Sequence, residues 1–250
     1  MAKRAKKASK KNKNAVIIIC VIFLLLIVIF SNSIIEEESV DSENRYSEKI
    51  LQLQMTCAGQ ELKRKSFTVC FNESKKIANY TYHVLTKEMV ENSKKVKRPT
   101  KFVKDPYYTS KVKSEDYTNT GYDRGHLVPA GDLGFDSVSI YESMYMTNIA
   151  PQNKHKNQVQ WRLLESHGRG LASKYDSIEV VTGVIFVADS LYETIGLNEV
   201  AVPHYWYKIF KYKNDFECYI MRNEKPESKY PDYKVEKKEC ETKTGVKLKS

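Results

Sequence analysis

The sequence predicts an α+β domain built on an antiparallel sheet. Three observations carry this: four segments rich in β-branched and aromatic residues, a short polar turn between the first two, and three stretches with helical character. Residues 66–71 (SFTVCF) and 80–85 (YTYHVL) read as strands, and 72–76 is polar enough to turn between them. Residues 96–116 form a long loop containing Pro99 and Pro106. Residues 121–130 (GYDRGHLVPA) begin as a glycine-bounded turn and continue apolar, as a loop entering a short strand does. A helix is predicted over 139–144, and a longer one over 157–174, where Val159, Leu163 and Leu164 fall at helical spacings with Trp161 between them. Residues 178–186 (IEVVTGVIF) and 200–212 are strands, the second interrupted by Pro203. A charged helix over 235–245 closes the domain at its glycine.

The 250 residues carry a formal net charge of +10. Lys3, Arg4, Lys6, Lys7, Lys10, Lys11 and Lys13 supply seven of those charges, so the N-terminus accounts for most of the excess. From Ile50 onward 32 Lys and Arg stand against 25 Asp and Glu. That balance suits a phosphate-backbone partner without demanding one.

Residues 1–14 read as a basic cytoplasmic tail, 15–31 as a membrane-meeting segment, 32–49 as a solvated acidic linker and 50–250 as one catalytic-size domain. The apolar run 15–30 holds 16 residues. A spanning helix wants about 20, with a floor near 17, and a signal-peptide core runs about 7 to 15. Both a retained anchor and a cleaved signal peptide therefore stay open, and Ser31 and Ser33 are small enough for a cleavage site. In either case the lysines hold the N-terminus inside and send the domain across, to a cell-membrane-anchored or a secreted location. Cys20 lies in the apolar run, leaving Cys57, Cys70, Cys218 and Cys240. No C-x-x-C or H-x-x-x-H spacing supports zinc, so two disulfides are expected. Three connectivities are open; Cys57 with Cys70 and Cys218 with Cys240 are the pairs nearest in the chain.

Hydrolysis of a phosphodiester needs a base for water, a cation to offset negative charge, and fixed geometry between them. A lone histidine is more often a satisfied core residue than a base. His126, however, sits in Asp123-Arg124-Gly125-His126, and downstream follow Thr147-Asn148-Ile149-Ala150-Pro151-Gln152, Asn157-Gln158, Trp161, Leu164-Glu165, Val181-Thr182-Gly183 and Val202-Pro203. This combination resembles the DNA/RNA non-specific endonucleases of the ββα-metal (His-Me finger) type, the endonuclease G-like group, over residues 57–245.

The resemblance implies a Mg²⁺-dependent nuclease, with Mn²⁺ as a substitute ion and DNA and RNA as substrates. It makes His126 the general base, Asn157 the direct protein ligand of one ion, and Glu165 a group acting through that ion's waters. Eight helical residues rise about 12 Å, which independently disfavours both side chains as inner ligands. Arg124 contacts a phosphate or organises the motif, Asp123 holds the loop, and Asn148 lies near the base as an orienting or structural group. Related nucleases place a phosphate-binding arginine upstream, and Arg98, ahead of Phe102 and Asp105, is the candidate here. The rival readings are a non-catalytic surface protein that binds nucleic acid for uptake, an exported scaffold, and a mitochondrial inner-membrane nuclease. The intact His126, Asn157 and Glu165 set argues against the first, and the second predicts neither metal dependence nor cleavage. The lysine-rich tail and the four downstream cysteines argue against the third.

Overall fold

The computed structural model describes residues 53–248. The basic tail, the apolar segment 15–31 with Cys20, and the acidic linker lie outside the described residues. Among the described residues no helix is long and apolar enough to cross a membrane.

In chain order the elements are β1 (Leu53–Gln54), β2 (Gln60–Lys63), β3 (Thr68–Asn72), β4 (Ile77–Thr86), α1 (Lys87–Glu91), β5 (Tyr122–His126), α2 (Ser137–Glu142), β6 (Ile149–Asn153), a π-helical turn (Lys156–Trp161), α3 (Arg162–Tyr175), β7 (Ser177–Ile185), β8 (Thr194–Ile195), β9 (Val200–Ala201), β10 (Tyr205–Tyr212), β11 (Asp215–Arg222), β12 (Lys234–Val235), α4 (Lys237–Thr244) and β13 (Lys247–Leu248). Seven strands form one antiparallel sheet in the order β12-β11-β10-β7-β4-β3-β2.

Central β7 is buried from Ile178 to Val184 because both faces of the sheet are covered. Ile178, Val180 and Val184 join Trp206 and Phe210 of β10 and Trp161, Leu164 and Leu171 in one apolar cluster. Val181 faces the other way, with Tyr207, Ile209, Cys218, Cys240 and Val246. Period-two alternation thus assigns each strand's side chains to two cores, so the strand reads as a continuous apolar run rather than an alternating one. Helix α3 comes close to the sheet at Gly168, where an added Cβ would lie 2.5 Å from the Phe210 ring. Gly168→Ala would force either the Phe210 ring or the helix to shift.

Several boundaries moved from their expected places for local reasons. Pro203 divides 200–212 into β9 and β10. The helix expected at 139–144 starts earlier, because Asp136 accepts from the Ser139 backbone N–H at 2.8 Å and caps it. The helix expected over 157–174 is π-helical through Trp161 and α-helical only from Arg162. Strands β2 and β11 had no expectation: QELK exposes three of its four residues at the sheet edge, and DFECYIMR interleaves charge with apolar residues. The closing helix ends at Gly245, whose φ of 74° is left-handed. Of the three cysteine connectivities, the structure has Cys57–Cys70 and Cys218–Cys240, with Cα separations of 5.5 and 6.2 Å. The second ties α4 to β11. By restricting the unfolded chain, each contributes about 3 kcal/mol.

A half-buried polar hub joins α3 to β11. The Glu217 carboxylate accepts from His167 Nε2 at 2.6 Å, Tyr219 Oη at 2.7 Å and Tyr212 Oη at 3.0 Å. Burial alone would push this carboxyl up, but His167 and the two phenols overcome it and hold it down at about 2. A depressed carboxyl adds stability above its unfolded value near 4.5 and loses it as pH falls through about 2. Glu217→Gln is therefore expected to cost on the order of 1 to 2 kcal/mol at pH 7, the full shift being reduced by solvent screening of a half-buried group, with the gap to wild type closing between pH 4.5 and 2. Urea unfolding across that range measures it, and a gap undiminished at pH 2 would contradict the assignment.

Candidate active site

β5 and β6 pair antiparallel with His126 opposite Ile149 and Asp123 opposite Gln152, and the helix beginning after β6 lies against them. The two strands approach closely at Gly125, where a Cβ would lie 2.5 Å from Gln152 Oε1 and 3.0 Å from the Trp206 ring. Glycine is required there by space.

Asn148 holds the chain just past His126. Its Oδ1 accepts from the Val128 N–H at 3.0 Å, and its Nδ2 donates to the Val128 carbonyl at 3.0 Å and the Ser143 carbonyl at 2.9 Å. The side chain is fully buried and its amide is wholly engaged by backbone. Of its two expected roles, orienting and structural, the geometry displays the structural one, a clamp on backbone. Arg124 also turns to the protein. Nε and Nη2 donate to the Ser114 carbonyl at 3.0 and 2.5 Å, and Nη2 reaches Thr118 Oγ1 at 3.3 Å. Its guanidinium lies over the Tyr117 and Phe102 rings, so of its two expected roles the geometry displays the organising one.

His126 is different. Its Nε2 is buried and has no hydrogen-bond partner among the described residues. Phe102 packs beside the ring at 5.2 Å. Desolvation, and then the nearby Arg98 guanidinium, lower its pKa to about 3, so the imidazole is neutral across the physiological range. An unpartnered buried polar atom costs free energy, which makes this one a position that expects a partner.

Asp123 Oδ2 accepts from both Asn157 Nδ2 and Gln158 Nε2 at 2.9 Å. A carboxylate only accepts, so it fixes the Asn157 amide with its NH₂ toward Asp123. Oδ1 of Asn157 is left without a partner among the described residues. The π turn then sets where Asn157 points relative to Glu165. In an uninterrupted α-helix, eight residues leave two side chains about 80° apart around the axis. A turn closed i→i+5 rotates each residue by only about 80°, so four such steps bring the pair to within roughly 10°. Lys156 and Trp161, five apart, both point inward and are fully buried for the same reason. The Lys156 ammonium lies 5.7 Å from the Trp161 ring and 5.2 Å from that of Trp206.

Glu165 is half-buried on α3. Burial raises its pKa to about 7, with Lys208 acting against the shift, Asp132 adding to it, and Arg169 and Arg98 again lowering it. Lys208 is driven down to about 8, also by burial, and donates to Thr182 Oγ1. Asp132 accepts from Arg169 Nη1 at 2.8 Å and meets His83 Nε2 at 3.3 Å. Sequence reasoning missed Lys208, Asp132, Arg169 and His83. Only Arg169 left a signal, four residues after Glu165 on one helix face.

Arg98 is exposed and its charge acts on both His126 and Glu165, so the structure brings it to the site. Among the described residues no group of three or more His, Cys, Asp or Glu could enclose a metal ion. A cation here would have the Asn157 oxygen and otherwise water, which fits a hard ion that keeps its hydration shell.

Comparisons with known proteins identify the family. Residues 47–250 match the family model of the DNA/RNA non-specific endonucleases. Nuclease C1 of Cunninghamella echinulata var. echinulata is 30% identical over 224 residues, covering 80% of this chain and 87% of the relative. Human mitochondrial endonuclease G is 30% identical over 156 residues, covering 58% of this chain; the match spans 52% of that relative's length. The solved EndoG/EndoGI complex aligns with a TM-score of 0.69 at 26% identity, over 75% of this chain and 84% of its own. With its antiparallel α+β architecture and this extent of match, the chain belongs to the DNA/RNA non-specific endonuclease family and is a phosphodiester-hydrolysing nuclease.

Proposed function

We propose that the chain is a Mg²⁺-dependent endonuclease that cuts DNA and RNA without sequence preference, with His126 as general base. The observation that carries this is the unpartnered, buried Nε2 of a neutral His126 on the same strand as Asp123, which leaves the Asn157 oxygen free. The β5–β6–helix unit supports a ββα-metal reading, in which Asn157 Oδ1 would hold the ion directly and Glu165 would hold its water shell. Bound Mg²⁺ would offset negative charge on the phosphate and the departing 3′ oxygen, and Mn²⁺ would substitute.

His126 accepts a proton from water as that water attacks phosphorus in line. The P–O3′ bond breaks, the 3′ oxygen takes a proton from solvent to leave a 3′ hydroxyl and a 5′ phosphate, and His126 returns its proton to solvent. Arg98 binds the scissile phosphate. Contacts to phosphate rather than base edges explain the absence of sequence preference. The disulfides support an oxidising compartment, so we place the domain beyond the cell membrane, anchored or released. The test is digestion of circular DNA and of RNA with Mg²⁺ and with excess chelator. Both substrates are expected to be degraded only with the metal, and undiminished cutting in chelator would sink the metal assignment.

A further inference from the structure

The positive charge of the domain lies in one place. Segment 94–113 holds eight Lys and Arg and a single acid, Asp105; the other residues from Ile50 onward hold 24 of each sign. Asp105 does not offset the surface charge, because it is buried, ion-paired with Arg64 and bonded to Thr147 Oγ1 at 2.7 Å. All eight cations are exposed, and none has an ion-pair partner among the described residues.

The segment is irregular yet held in place. The Val96 N–H donates to the Gly134 carbonyl at 2.8 Å, and Val103 exchanges backbone hydrogen bonds of 3.0 Å with Met144 and Met146. The anchors face inward while the lysines between them face solvent. The segment also runs to the reacting centre, since Phe102 packs on His126. A long, pinned loop bearing a row of unpaired cations is an electrostatic footprint for a polyanion.

We propose that segment 94–113 is a preformed track for the phosphate backbone of a nucleic-acid strand, delivering the scissile phosphate past Arg98 to His126. This rests on the nuclease reading above and adds where the strand lies. An anionic lipid surface would also attract lysines, but it gives no reason for the segment to pack against His126 at Phe102.

The test measures binding of a fluorescent single-stranded oligonucleotide to the full chain, in nonionic detergent and chelator, across a salt series. Lys94, Lys95, Lys97, Lys101 and Lys104 are changed together to Gln in one variant and to Arg in another. A third variant neutralises five exposed lysines elsewhere, Lys225, Lys229, Lys238, Lys243 and Lys247. The N-terminal lysines are common to all four proteins and cancel from the comparison. The Gln track variant is expected to bind at least about tenfold more weakly at low salt, with a log–log salt slope shallower by about 0.7 for each phosphate no longer neutralised. The Arg variant and the third variant should retain wild-type affinity and slope. Unchanged binding by the Gln track variant would overturn the proposal. So would equal weakening in both neutralised variants, or, with binding to vesicles of anionic lipid measured alongside, a loss confined to the vesicles. Because this readout needs no cleavage, a protein that failed to cut would refute the nuclease reading while leaving the track testable.

Discussion

Replacing His126 with alanine is expected to lower kcat by about 10²- to 10⁴-fold, the usual worth of a general base, with little change in KM. The reason lies in what the side chain does not do. Its Nε2 bonds to nothing among the described residues, so its removal strands no buried donor or acceptor. The loop beyond it is held by Asn148 through backbone, independently of the imidazole. Thermal stability should therefore change little while turnover collapses, which separates chemistry from folding. Initial rates on plasmid DNA, with melting curves for both proteins, check this. Turnover near wild type would remove His126 from the mechanism.

The second large effect is expected at Asn157. On the proposed mechanism Asn157→Ala removes the oxygen that would hold the ion, so half-maximal activity should need at least about tenfold more Mg²⁺, with partial recovery at high metal. Asp123→Ala should follow in the same direction, since groups that orient a metal ligand are typically worth about 10- to 100-fold in affinity or activity. Asp123 is the group that fixes the Asn157 amide, through its 2.9 Å hydrogen bond. Glu165→Gln should weaken metal binding less, because its hold passes through water. Titration of Mg²⁺ by activity and by calorimetry measures the order. A larger loss at Glu165 than at Asn157 would reverse the inner and outer assignments.

The amino-acid sequence by itself determined the α+β class, most strands of the sheet, the closing glycine of α4 and the motif residues that mark the family. These are short-range properties. β-branched runs, prolines, caps and motif spacings act over a few residues and are visible wherever they occur. The tertiary structure decided which cysteines pair, and that the Asn148 amide binds backbone rather than facing substrate. It also decided that Arg98 reaches His126 and Glu165 from a loop with no regular structure. The surroundings of Glu165 come from β4, the loop after His126, α3 and β10, brought together only by the strand order. Lys208 on β10 and Glu165 on α3 shift each other's pKa because the sheet sets that strand under that helix. The π turn belongs to the same class. Burying Lys156 and Trp161 on one face requires a register no α-helix provides, and that demand arises from Trp206 across the core.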